Sequence, residues 1–184
     1  NNYALMLVEE GRGNEAMSVL EQGIIRCGDS RLLDFALASA LMEIGQFERA
    51  ESQFSELLKQ EPGNATAWHG LGLVNLNMDK ASEAKRALQQ AVKIEPNEDG
   101  FFYDLGNVCM DLGDWVEAEV AFQRVLTLNP THVDAVTNLG QVLLELDKTE
   151  LAEQIIRLSV LSKDQNLPGH LNLGRLQFER GEFP

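Results

Sequence analysis

One period governs this chain. Alanine recurs every 34 residues, at Ala16, Ala50, Ala84, Ala118 and Ala152. Turn-forming residues keep the same step at Gly11, Gly45, Asp79, Gly113, Asp147 and Gly181. So does a large-then-small pair: Tyr3-Ala4, Leu37-Ala38, Leu71-Gly72, Leu105-Gly106, Leu139-Gly140 and Leu173-Gly174. Helix stoppers fall in register at Pro62, Pro96 and Pro130, with Gly28 and Asp164 in the matching places. A repeat of this length is one supersecondary unit that cannot bury its apolar face alone, so successive units must stack.

Each unit reads as two amphipathic helices of about 14 residues, roughly 20 Å long at 1.5 Å per residue. The turn between them carries Gly or Asp, which tolerate left-handed backbone. Proline closes the unit because it cannot continue a helix. Gly72 and Ala84 are small where the two helices must approach, and Leu71, Leu88 and their register mates fill the space around that contact. Leucine in place of Ala84 or Ala118 should overpack the crossing, at about 1–3 kcal/mol.

The clearest unit is "ATAWHGLGLVNLNMDKASEAKRALQQAVKIEPNE", residues 65–98. Trp68, Leu71-Gly72, Ala84, Leu88 and Pro96 in it, and Phe102, Leu105-Gly106, Ala118, Phe122 and Pro130 in the next, resemble the tetratricopeptide repeat family. The resemblance covers the chain as a single solenoid: a partial unit at 1–30, full units at 31–64, 65–98, 99–132 and 133–166, and a half unit at 167–184. It implies an all-α fold, a right-handed superhelical α-solenoid of antiparallel helix pairs. Asp34, Val136 and His170 occupy the family's Trp position, and Asn75 stands where the family often has Tyr.

A competing motif dissolves in this register. Gly11-Arg12-Gly13-Asn14-Glu15-Ala16 fits the G-x-G-x-x-A of dinucleotide-binding turns. Gly11 is the register mate of Gly45 and Gly113, however, and Ala16 of Ala50 and Ala84. The apolar run before it ends a helix, whereas a dinucleotide motif needs a strand there. No other chemistry gathers. His69, His132 and His170 lie 63 and 38 residues apart, far from ligand spacing. Cys27 and Cys109 form no CxxC pair, and Cys109 on a core-facing helix reads as an inert thiol. Glu9-Glu10 and Glu117/Glu119 read as solvated faces. Asn64-Ala65-Thr66 is a glycosylation sequon by pattern, relevant only in a secreted protein. No catalytic constellation, cofactor site or metal site is expected, so the chain reads as a non-enzyme.

In the family the first helices of successive units line a concave face. On that face the partner-binding candidates are Phe35, His69, Tyr103, Asn107, Asn138, Gln141, Asn172 and Arg175. Thr137, Leu73, Leu76 and Leu144 share it, and the three leucines serve equally well as packing between units. The lysines and arginine of the family's carboxylate-clamp subtype are missing: the matching positions read Phe35/Ser39, His69/Leu73 and Tyr103/Asn107. A partial asparagine ladder before Leu-Gly, Asn138 and Asn172, resembles the repeats of O-linked sugar transferases, with Asp104 substituted and Ala36 and Gly70 breaking it. A carboxamide both donates and accepts, which suits sequence-tolerant grip on a peptide backbone; solvated asparagines would give the same pattern.

The formal net charge of −14 disfavours nucleic acid and anionic membrane as partners and favours a basic one. Unit 99–132 has six acids against one arginine, net −5, and an acidic patch of Asp99, Asp104, Asp111 and Asp114 is expected there. No apolar run reaches the roughly 20 residues of a membrane helix. The sequence leaves the compartment open, leaning to the cytoplasm, and reads as a segment of a longer repeat protein whose uncapped ends could self-associate. Three functions compete: a scaffold that binds a partner peptide or helix presenting apolar anchors and some positive charge; the targeting arm of a larger enzyme such as a glycosyltransferase; and a self-assembling scaffold.

Overall fold

The computed structural model describes residues 31–162 continuously, together with residues 6–7, 12, 15–20 and 22. Two compact units divide the chain, Asn1–Pro96 and Asn97–Pro184. In the first, the helices are α1 (Arg31–Glu43), α2 (Phe47–Gln60), α3 (Ala65–Asn77) and α4 (Ala81–Ile94). In the second they are α5 (Asp99–Asp111), α6 (Trp115–Leu128), α7 (Val133–Glu145) and α8 (Thr149–Ser162). The described residues contain no strand. Helices of 13 and 14 residues alternate, so every 34-residue unit within 31–162 becomes one helix pair.

The four inter-helix turns are the same turn. Gly45, Asp79, Gly113 and Asp147 all have φ between 57° and 75°. In each, the amide after the left-handed residue donates back five residues: Gln46 N to Leu41 O at 2.9 Å, Lys80 N to Asn75 O at 2.9 Å, Asp114 N to Cys109 O at 2.8 Å, and Lys148 N to Leu143 O at 2.9 Å. This is the Schellman arrangement, which satisfies the carbonyls orphaned at a helix end and demands a residue at ease with positive φ.

The periodic small residues are contact points. Ala16, Ala50, Ala84, Ala118 and Ala152 have no solvent exposure. A Cβ on Gly72 would lie 2.7 Å from Leu88, one on Gly106 2.7 Å from Phe122, and one on Gly140 2.5 Å from Ile156. Within these three pairs, therefore, a large side chain of the second helix lies directly on the glycine of the first, and the Ala84 carbonyl oxygen would be 3.5 Å from the same Cβ on Gly72. Phe54 departs from this rule instructively. Its register mate on the first helix is Ala38, not Gly, and the ring rests instead on Gly70 of the following repeat, whose Cβ would lie 2.5 Å from Phe54 Cζ. Glycine thus lies beneath both phenylalanines at this register, on its own repeat for Phe122 and on the next for Phe54.

In the first unit, Leu37, Leu41, Ala50, Phe54, Leu57, Leu58, Ala67 and Val74 form one buried cluster with Leu20. The second unit buries Leu105, Val108, Cys109, Phe122, Val125, Leu139, Val142, Leu143 and Ile156. On α2 the buried residues Ala50, Phe54, Leu57 and Leu58 follow the i, i+4, i+7, i+8 stripe of a one-faced helix. The first helices α3 and α7 bury residues round more of their circumference, because they have neighbours on both sides.

One ion pair recurs in register. Lys80 Nζ is 3.0 Å from Glu51, and Lys148 Nζ is 2.6 Å from Glu119, each tying a second helix to the turn of the repeat that follows. The second pair corrects the reading of Glu119 as solvated: the residue is 8% exposed and also accepts from Gln123 Nε2 at 3.2 Å. Its partner stands 29 residues away, so helix periodicity alone could not reveal the pairing.

Candidate functional site

The first helices of the second unit carry the densest set of expected binding residues. Tyr103 and Asn107 are four residues apart on α5, and Asn138 and Gln141 three apart on α7, so each pair shares a helix face. Asn138 Nδ2 donates to Asn107 Oδ1 at 2.9 Å, joining the two faces into one strip. All four residues are half-buried. Among the described residues, that bond leaves the carboxamide N–H donors of Asn107 and the carbonyl oxygen of Asn138 for other use. Tyr103 is held from two sides: its ring is edge-on to Phe122 at 6.0 Å and stacked on His132 at 4.6 Å. His132 is in turn fixed as the N-cap of α7, its Nδ1 accepting from Ala135 N at 3.2 Å. The stack and the cap give His132 a structural role that its spacing from the other histidines does not reveal.

Phe35 and His69 lie in the first unit and are half-buried. Phe35 packs edge-on to Phe54 at 5.8 Å, so its ring serves the core as well as any surface. Of the residues sharing the expected face, Thr137 and Leu144 are buried at 6% and 7% exposure, and Thr137 Oγ1 donates to Val133 O. Asn172 and Arg175 lie outside the described residues, as do Cys27 and His170.

The four acids are spread out. Asp99 opens α5 and Asp111 closes it, about 18 Å apart along the axis. Asp104 and Asp111, seven residues apart, lie within about 20° of one face, whereas Asp99 is turned away from both. There it accepts from Asn129 Nδ2 at 2.9 Å. Asp111 is one turn from Asn107, and the exposed Asp134 is one turn from Asn138, so both stand at the edge of the strip. Asp114 is exposed in the turn after α5.

Two hollows lie between second helices and over a first helix, and neither was among the sites expected from the sequence. In the second unit one of about 340 Å³ is lined by Gln123, Leu126, Leu139, Leu143, Leu151 and Ile155. In the first unit a larger one, about 540 Å³, involves Glu51, Trp68, Leu71, Asn75, Glu83 and Ala87. The only signal for the latter was Asn75 itself, a polar residue at a register where Leu41, Cys109 and Leu143 are apolar and buried. Among the described residues no cluster of His, Cys, Asp and Glu could hold a metal ion, and no helix is long and apolar enough to cross a membrane.

Comparison with known proteins agrees with this geometry. A family profile described as tetratricopeptide repeat matches residues 35–97. A second, described as the middle TPR-like domain of cilia and flagella-associated protein 70, matches residues 97–171. No curated protein matches the chain by sequence. Among solved structures, YrrB, described as a TPR protein with an unusual peptide-binding site, superposes with a TM-score of 0.80 at 21% identity, covering 88% of this chain and 84% of its own. MamA from Desulfovibrio magneticus gives 0.78 at 21% identity, covering 90% and 94%. A tetratricopeptide repeat protein from Parabacteroides merdae gives 0.81 at 15% identity, covering 98% and 72%. At such identities the likeness speaks for the fold, an all-α solenoid of helix pairs. With the period, the repeated turn, the glycine contacts and the two profiles in agreement, the chain belongs to the tetratricopeptide repeat family.

Proposed function

We propose that this chain is a protein–protein interaction module that grips a segment of a partner polypeptide along its first helices and has no chemistry of its own. The bond between Asn107 and Asn138 carries the reading. It fixes two carboxamides side by side at the surface of adjacent helices, each with hydrogen-bonding capacity left over. Such a pair matches the alternating donors and acceptors of a peptide backbone without reading its side chains. Tyr103, held by Phe122 and His132, supplies a rigid aromatic anchor beside it at little entropic cost. Asp111 and Asp134 at the edge, and a net charge of −14, favour a segment with some positive charge.

The test uses a peptide selected on the purified protein from a random display library and measured by fluorescence anisotropy. Replacing both Asn107 and Asn138 by Ala should weaken binding by about ten- to a hundredfold, as expected for one or two hydrogen bonds of about 1–1.5 kcal/mol each. Affinity within twofold of the unaltered protein would remove the carboxamide pair from the account.

A further inference from the structure

The first-unit hollow contains a defect that nothing in the fold requires. Asn75 is 4% exposed, and its Nδ2 donates to Leu71 O at 2.9 Å, but its Oδ1 is buried without a donor. It is the one buried side-chain polar atom so placed among the described residues. Native proteins satisfy the large majority of such atoms, and an unsatisfied one at a register where Leu41 and Leu143 pack fully buried is a departure that a leucine would remove. The carboxamide lines a cavity of about 540 Å³, within the size range of ligand pockets.

We propose that this pocket receives a tyrosine side chain of a partner polypeptide, whose hydroxyl donates to Asn75 Oδ1. The chemistry of the walls selects that group. The unmet atom is an acceptor, so the occupant must donate. Trp68, Leu71 and Ala87 offer apolar surface suited to a ring, and the Trp68 indole is held in place by its N–H bond to Pro62 O at 2.9 Å. The carboxylates at the rim are already matched, Glu51 by Lys80 at 3.0 Å and Glu83 by Arg86 at 3.6 Å, so the pocket holds no uncompensated charge and favours a neutral donor over a cation. Ser55, Gln89 and Gln90 add neutral polar groups that suit flanking peptide amides rather than a free small molecule. The last torsion of an asparagine is broad and soft, so the carboxamide can tilt toward an entering hydroxyl while keeping its bond to Leu71. This pocket lies between second helices of the first unit and is separate from the carboxamide strip of the second.

The test compares three capped pentapeptides, Ala-Ala-Tyr-Ala-Ala and its Phe and Ser counterparts, titrated into the isotope-labelled protein while the Trp68 indole and Asn75 carboxamide resonances are followed. The Tyr peptide should shift both and bind about tenfold more tightly than the Phe peptide, the worth of one hydrogen bond, with the Ser peptide weaker still. In Asn75→Leu the urea midpoint should rise, the Phe peptide should still bind, and the Tyr-over-Phe preference should vanish. Retained Phe binding also reports that the variant is folded. Equal affinities for Tyr and Phe, a preference that survives Asn75→Leu, or no binding of any peptide at millimolar concentration would each overturn the proposal.

Discussion

Gly106→Ala adds a single methyl group to the middle of α5, and two effects then oppose each other. Alanine is favoured over glycine in a helix interior by about 1 kcal/mol. Against that, the new Cβ would sit 2.7 Å from Phe122 Cε1 and Cζ, where ordinary contact begins near 3.4 Å. The ring cannot easily retreat: Phe122 is fully buried and edge-on to Tyr103. Overpacking of this kind costs about 1–3 kcal/mol, and a pinned ring puts it in the upper half of that range, so the net change is a loss of about 1–2 kcal/mol. Gly100, in the first turn of the same helix, supplies the control. Its added Cβ would meet nothing closer than Glu98 Oε1 at 3.7 Å, so Gly100→Ala should gain up to about 1 kcal/mol. Urea unfolding followed by far-ultraviolet circular dichroism compares the midpoints at constant slope. A double-mutant cycle with Phe122→Ala should return a coupling of at least about 1 kcal/mol, because removing the ring makes room for the methyl, whereas a leucine, which at Leu88 lies just as close to Gly72, would not. If Gly106→Ala raises the midpoint as Gly100→Ala does, or if the cycle is additive, the ring-on-glycine contact is not what keeps this position small.

Further outcomes follow from the same contacts. Lys148→Ala leaves the nearly buried Glu119 carboxylate with only Gln123, and should cost about 1–2 kcal/mol; Lys59→Ala, which opens an exposed pair with Glu56, should cost no more than about 0.5 kcal/mol in the same urea assay. His132→Ala removes the cap of α7 and the stack on Tyr103, for a loss of about 1–2 kcal/mol and faster amide exchange at Ala135, whereas His132→Asn should restore the cap as Asn64 does for α3 at 2.9 Å.

Much of this fold was legible because a 34-residue step marks residues that hold the same place on the same kind of element. Gly45, Asp79, Gly113 and Asp147 share one role and adopt one backbone state. Ala50, Ala84, Ala118 and Ala152 share another and are equally buried. The period assigns Gly11-Arg12-Gly13 to a turn as well, but Gly11 and Gly13 lie outside the described residues. A repeat register reports what lies along a helix, but not which way a side chain leans between repeats. Phe54 could have rested on its own repeat, and only the geometry shows it on Gly70. Glu119 looked solvated because its cation comes from the next turn. The strip was half legible: helix spacing put Tyr103 with Asn107 and Asn138 with Gln141, while the bond joining the two pairs runs between elements. The Asn75 pocket was the least visible, since a cavity is defined by several side chains failing to meet.

The most direct test of the interaction reading maps where a selected peptide touches the protein. Side-chain amide signals of Asn107 and Asn138 and ring signals of Tyr103 should move together, in proportion to bound peptide, while signals from the outward faces of α6 and α8 stay still. Movement confined to α6 and α8, with the two asparagines unmoved at saturation, would contradict a function built on the first helices.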